Sequence, residues 1–172
     1  MIECPFCGQP NTEGADVCDD CQHSLTDLSH PALSTTVERG LMNDRISALS
    51  PKQPLTVTSQ TPIGEVLQQM IDASIGCVMI EDEGKLLGIF SEFDAVRKVG
   101  PNAAQLTERP ISAVMTSDPV TLEAKDKIAF ALHKMHVGGY RHLPIMTDGK
   151  LTGVISIRDI LGYLSERIGV AI

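Results

Sequence analysis

Tryptophan is absent, and aromatic residues make up only 3% of the chain. Proteins that bind single-stranded nucleic acid stack bases on aromatic side chains, and that platform is missing here. Positive charge is missing from the first 38 residues, where no Lys or Arg precedes Arg39 but Glu3, Glu13, Asp16, Asp19, Asp20, Asp27 and Glu38 all occur. Affinity for nucleic acid comes largely from cations that displace counterions at phosphates. With a net charge of −8 over 172 residues, DNA or RNA is not the expected partner. No apolar run reaches the length of about 18 residues that a membrane span needs. The N-terminus has no basic start followed by an apolar stretch, so no secretory signal is read and a cytoplasmic location is expected. No serine is set with a base, and no Walker-type glycine loop is present. No catalytic residue is assigned, and the chain is expected not to be an enzyme.

Cysteine is scarce but pointedly placed. Four of the five cysteines form Cys4-x-x-Cys7 and Cys18-x-x-Cys21. Two such turns can set four thiolates tetrahedrally about Zn²⁺, and Gly8 suits the positive φ that such a turn often needs. Disulfides are the alternative, which a reducing cytosol disfavours. The segment CPFCGQPNTEGADVCDDCQHSL resembles the short zinc-ribbon family, with Asn11, Gly14 and Ala15 in its central turn. It departs from that pattern at Gln22, where glycine is usual. Four cysteine ligands leave no open position for a water, so the metal is structural and supplies most of the ribbon's folding free energy. His23 and His30 are read as surface residues. Cys77 lies in the apolar run Cys77–Ile80 and is read as core packing.

The rest of the chain is a duplication. Residues 46–99 align with 111–164 at a constant offset of 65 without a gap, and 15 of the 54 positions are identical. Chance would give about three at ordinary residue frequencies. Identities include Ile46/Ile111, Ser47/Ser112, Ala48/Ala113, Pro54/Pro119, Gly84/Gly149, Gly88/Gly153, Ser91/Ser156 and Asp94/Asp159.

Each copy reads as strand, helix, strand, strand, helix. Leu55–Val57 and Val120–Leu122 open them. Thr61-Pro62 and Asp126 carry helix-start chemistry. Ile63, Val66, Leu67, Met70 and Ile71 fall on one helical face, as do Ile128, Ala131, Leu132 and Met135. Apolar strands (77–80 and 143–145) lead through tight turns at Gly84 and Gly149 into further strands, 86–90 and 151–155. A last helix begins at Ser91 or Ser156. Ahead of the first copy, residues 25–36 read as a linker, and Thr36 as the cap of a short helix over 37–44. Ser-x-x-Asp at a helix start is also a capping pattern. Arg97, Lys98, Lys125, His133 and His136 read as surface residues.

The stretches Gly139-Tyr140-Arg141-His142-Leu143-Pro144-Ile145, Asp148-Gly149-Lys150-Leu151 and Gly153–Asp159 resemble the CBS domain. The whole resembles a tandem CBS pair, or Bateman module. The first copy departs from the pattern at Met79, where proline is common, and at Ile75-Gly76-Cys77. The expected fold is therefore α+β: a Cys4 zinc ribbon over 1–24, the linker over 25–36, and CBS copies over 37–100 and 101–172. The resemblance implies two clefts that hold adenine nucleotides. One would use Ser156, Asp159, Arg141, His142, Ile46 and Ser47; the other would use Ser91, Asp94, Thr107 and Ser112. Ser156 is expected to reach a phosphate at a helix N-terminus, Asp159 to accept from ribose hydroxyls, and Arg141 and His142 to pair with phosphate. The second-copy site is expected to be the better one, because the first lacks a basic pair.

The function expected from this reading is regulatory. AMP, ADP or ATP binds between the copies, and an unidentified partner protein reads the change. The resemblance also implies a homodimer and admits S-adenosylmethionine as ligand. A ligand-free structural adaptor and a nucleotide-responsive zinc-ribbon transcription regulator are the alternatives. The cation-free N-terminus weakens the latter.

Overall fold

The computed structural model describes residues 1–25, 35–100 and 103–169. Most of the expected linker, with His30, lies outside them. In chain order the strands are β1 (Ile2–Glu3), β2 (Pro10–Asn11), β3 (Thr56–Val57), β4 (Cys77–Asp82), β5 (Lys85–Ser91), β6 (Thr116–Ser117), β7 (Leu122–Glu123), β8 (His142–Thr147) and β9 (Lys150–Ser156). The helices are α1 (Thr36–Asn43), α2 (Ile63–Asp72), α3 (Glu92–Asp94), α4 (Ala103–Leu106), α5 (Ile128–Gly138) and α6 (Ile157–Ile168). Short 3₁₀ turns cover Ile46–Leu49 and Ile111–Ala113, and a π turn over Ala95–Val99 extends α3. The order β-α-β-β-α thus occurs twice, as the periodicity predicts.

The chain divides into two compact units. One holds 1–51, 122–143 and 155–172; the other holds 52–121 and 144–154. In the second unit the sheet order is β3-β4-β5-β6. β3 runs parallel to β4, and β4 and β5 form an antiparallel hairpin with Cys77 opposite Ser91 and Val78 opposite Phe90. The hairpin turn has φ of +51° at Glu83 and +77° at Gly84, and Asp148 and Gly149 repeat this with +49° and +75°. Two successive left-handed residues make a type I′ turn, which matches strand twist.

The uninterrupted apolar run of β4 has a physical reason. Val78 and Ile80 pack with Ile63, Val66 and Phe90 on one side. Cys77 and Met79 pack with Ile89, Leu151 and Val154 on the other. A strand covered on both faces needs no polar alternation. Phe90 is fully buried, so truncating it to alanine would cost about 3–5 kcal/mol.

Helix starts differ from the expected pattern in an instructive way. α2 begins after Pro62, and no side chain caps it. The Thr61 hydroxyl meets Thr58 instead. The first free N–H groups donate to main-chain carbonyls of a distant segment: Ile63 to Arg109 at 2.9 Å and Gly64 to Thr107 at 2.9 Å. A Cβ on Gly64 would lie 2.4 Å from the Thr107 methyl, so this approach requires glycine. In return Ile111 donates to the Thr61 carbonyl at 2.9 Å and Ser112 to that of Ser59 at 3.2 Å. The other unit repeats the pattern 65 positions away: Ile46 donates to Asp126, Ser47 to Ala124 and Ile128 to Asp44, at 2.8–3.0 Å. The segment leading into each copy therefore bonds to the helix start of the opposite copy. That also removes Asp126 as the α5 cap; its carboxylate accepts from the Glu123 N–H at 2.7 Å.

Two other expectations shift. Thr35, not Thr36, caps α1, in a reciprocal box with Glu38. Ile71 is 70% exposed and does not belong to the buried face of α2, whereas Ile63, Val66 and Met70 do.

Candidate functional site

The first cluster lies in the ribbon. β1 and β2 pair antiparallel, and the Sγ atoms of Cys4, Cys7, Cys18 and Cys21 lie within 4.8 Å of one another. Cys4 and Cys21 are 3.5 Å apart, and Cys7 and Cys18 are 3.6 Å apart. A tetrahedron with metal–sulfur bonds of about 2.3 Å has edges of about 3.8 Å, so the donor set fits Zn²⁺. Each CxxC turn closes with an N–H bond to its first cysteine, Gly8 to Cys4 and Gln22 to Cys18. Gly8 has φ +77° and Gln22 φ +60°. Gln22 thus takes the left-handed conformation for which glycine is usual, and the knuckle forms nonetheless.

Asn11 is buried and ties the two knuckles together. Its amide donates to the Gln9 carbonyl and the Cys18 sulfur, and its side-chain oxygen accepts from the Asp19 N–H at 2.9 Å. Burial alone raises the Cys18 thiol, but N–H donors from Cys21, Asp20 and Asn11 outweigh it and bring the pKa down to about 6. Donors aimed at sulfur favour the thiolate that a metal requires. Burial pushes Cys7 well above the usual range and Cys21 to about 11. Cys77 is raised to about 12 by burial and then by Glu92, which fits a packing thiol.

His23 and His133 depart from the surface reading. The Cys21 carbonyl lies 2.8 Å from His133 Nε2 on α5. The His23 ring lies 3.6 Å from that of Phe6 and 5.8 Å from that of His133. His136 is exposed, and Lys125 makes an exposed pair with Glu123. Arg97 sits exposed over the Phe93 ring.

The second cluster is the start of α6. Asp159 Oδ2 accepts from the Ser156 N–H at 2.6 Å and from its hydroxyl at 2.7 Å. The Ile157 N–H donates to the Arg141 carbonyl at 2.9 Å, which places exposed Arg141 beside the helix start. The 3₁₀ turn Ile46–Leu49 packs against α6 within the same unit, with Ile46 buried and Ser47 exposed. The structure thus gathers Ser156, Asp159, Arg141, Ile46 and Ser47 in one unit, with His142 half-buried next to Arg141. One expectation changes here. The Ser156 hydroxyl donates to Asp159, and the Ile157 N–H is taken by the Arg141 carbonyl, so neither is turned to a phosphate.

In the first copy, Ser91, Asp94, Thr107 and Ser112 also share a unit, with Thr107 and Ser112 exposed. Gly76 stands where Arg141 does, its carbonyl accepting from the Glu92 N–H at 3.0 Å. Asp94 is buried and saturated. Oδ2 accepts from the Ser91 N–H (3.0 Å) and hydroxyl (2.6 Å), and Oδ1 from Lys98 Nζ (2.7 Å) and the Thr116 hydroxyl (3.1 Å). Those contacts outweigh burial, which alone would raise it, and hold the carboxyl below its ordinary pKa. Lys98 also donates to the Val114 carbonyl at 2.9 Å; it is exposed, as the sequence suggests, but paired. The positions that supply the Oδ1 donors hold other residues in the second copy. Position 163 is Tyr163, whose hydroxyl donates to Asp44 at 2.6 Å, and position 51 is proline.

A family model described as the CBS domain matches residues 46–100 and 111–166. A CBS domain-containing protein of Arabidopsis thaliana, CBSCBSPB1, is 30% identical over 151 residues. That match covers 87% of this chain and 26% of the relative. The chain spans about a quarter or less of the first curated relatives it matches. Among solved structures, the CBS-domain protein ATU1752 of Agrobacterium tumefaciens aligns at a TM-score of 0.64 and 29% identity, covering 69% of this chain and 94% of that one. The CBS domain pair of protein MJ0100, solved with 5-methylthioadenosine and S-adenosyl-L-methionine, shares the fold. It aligns at a TM-score of 0.62 and 24% identity, over 69% of this chain and 98% of that one.

Proposed function

The chain belongs to the CBS-domain family, and from that premise we propose that it is a non-catalytic regulatory protein whose second copy binds an adenine nucleotide or a related adenosyl compound. The observation that carries this reading is the convergence at α6. A carboxylate oriented by Ser156, an exposed arginine and the lead-in segment Ile46–Ser47 meet in one unit. The adenosyl ligands of the MJ0100 pair support the ligand class. Asp159 accepts from the ribose hydroxyls, and Arg141, with His142 beside it, pairs with phosphate. The ligand joins α6 to the lead-in turn. It shifts the balance between conformations to the extent that it binds one of them better, and an unidentified partner protein reads the shift. The Ser91/Asp94 site is silent, because its carboxylate is saturated and glycine replaces the arginine.

The ribbon holds one structural Zn²⁺ through Cys4, Cys7, Cys18 and Cys21. Exposed apolar residues on the helices, Ile71, Phe93 and Val96 in one unit and Val137, Leu161 and Ile168 in the other, support a homodimer formed through helices. Among the described residues no helix is long and apolar enough to cross a membrane.

A second reading, a ligand-free structural adaptor, draws on the same geometry: Ser91/Asp94 and Ser156/Asp159 form capping boxes that satisfy the helix starts by themselves. Calorimetric titration of the zinc-loaded chain with AMP, ADP, ATP and S-adenosylmethionine separates the two. Saturable binding by at least one of them, lost in Arg141→Ala for the phosphate-bearing ligands, supports the sensor. Absence of heat with all four supports the adaptor.

A further inference from the structure

α5 and α2 occupy the same place in their copies, yet their surroundings differ. Gln68 of α2 is exposed and bonds along its own helix to Asp72 at 2.7 Å. Its counterpart on α5 is His133, half-buried and in contact with the Cys21 carbonyl. Exposed Glu65 on α2 is replaced on α5 by Phe130, which is 7% exposed. The duplication is therefore broken on the helix that meets the ribbon.

The ribbon residues that touch His133 are all set by the metal-ligating turns. Phe6 directly precedes Cys7, His23 lies two residues after Cys21, and the third group is the main chain of Cys21 itself. The ribbon has only two strands of two residues each, too little to hold that face without a metal. From α5 the contacts continue to α1 and α6.

We infer that the ribbon is a metal-dependent clasp on the second copy: with its four thiolates on a metal it docks on α5 through His133, and loss of the metal releases that helix. The clasp makes metal occupancy a second input to the second copy, and it stands whether or not a nucleotide binds there.

The test is hydrogen exchange by mass spectrometry on the full chain, zinc-loaded and after chelation. Chelation is expected to remove protection from residues 1–25 and from 128–138 together, while 63–72 on α2 stays protected. His133→Gln, which installs the first copy's residue, is expected to retain one zinc per chain yet lose protection over 128–138 in the zinc-loaded form. Unchanged exchange over 128–138 on chelation would overturn the clasp. So would equal loss of protection on α2 and α5, which would mark general destabilisation. If His133→Gln does not fold, Phe6→Ala replaces it, with the same expected loss and the same contrary results.

Discussion

Gln22 shows what a single residue does to the second cysteine turn. Its φ of +60° is a conformation that costs a residue with a Cβ about 1–2 kcal/mol. Gln22→Gly should relieve most of that strain. Because metal binding and ribbon folding are one equilibrium, competition with a chelator should show zinc retained at higher chelator concentration by about 1 kcal/mol of affinity. Unchanged retention would mean that the knuckle is not strained. Asp94 has a different signature. Its folded-state pKa lies below the ordinary 3.8 because Lys98 and Ser91 favour the carboxylate over the opposing effect of burial. Its contribution is therefore complete above that ordinary value and is lost as pH falls through the folded value. Urea midpoints of wild type and Asp94→Asn should differ at about pH 7, and the gap should narrow as pH falls below the ordinary carboxylate range. A constant gap across that range would contradict the ion pair.

Among the elements, the crossed lead-in segments hold the fold together. Ile46 and Ser47 bond to the region just before α5, and Ile111 and Ser112 to the region just before α2. A fragment of residues 46–100 lacks the carbonyls of Arg109 and Thr107 that complete α2. It should show collapsed chemical-shift dispersion in solution, whereas 37–169 should be dispersed; a well-dispersed spectrum from 46–100 would contradict the interlock. The same bonds explain which features were legible in the sequence. The I′ turns at Gly84 and Gly149 and the apolar strands depend on neighbours a few residues away, so local pattern reveals them. The α2 and α5 starts looked like side-chain caps at Thr61 and Asp126 because the carbonyls that satisfy them lie in another segment. β6 carries no local signal, because its pairing with β5 is between distant segments. His133 reads as a surface residue because its partner, the Cys21 carbonyl, is brought to it only by folding, whereas Lys98 is exposed and its pair with Asp94 is a local i,i+4 contact.

At the scale of the whole molecule, two copies of one β-α-β-β-α unit carry different residues at matching positions. In the first, Lys98 and Thr116 donate to the Asp94 carboxylate, and Gly76 stands where the second has Arg141. In the second, the ribbon, the lead-in turn and α6 share one unit. The proposed function therefore expects one ligand per chain, and duplication of the fold does not by itself imply two working sites. The most direct measurement is thermal unfolding of the zinc-saturated chain with AMP, ADP, ATP and S-adenosylmethionine, for wild type and Asp159→Ala. A ligand at 100 times its Kd adds about 2.7 kcal/mol, which for a chain of this size raises the midpoint by roughly 5–10 °C. The account predicts such a rise in wild type with at least one of the four and its loss in Asp159→Ala. No rise with any of them at millimolar concentration, or an equal rise in both proteins, would contradict it.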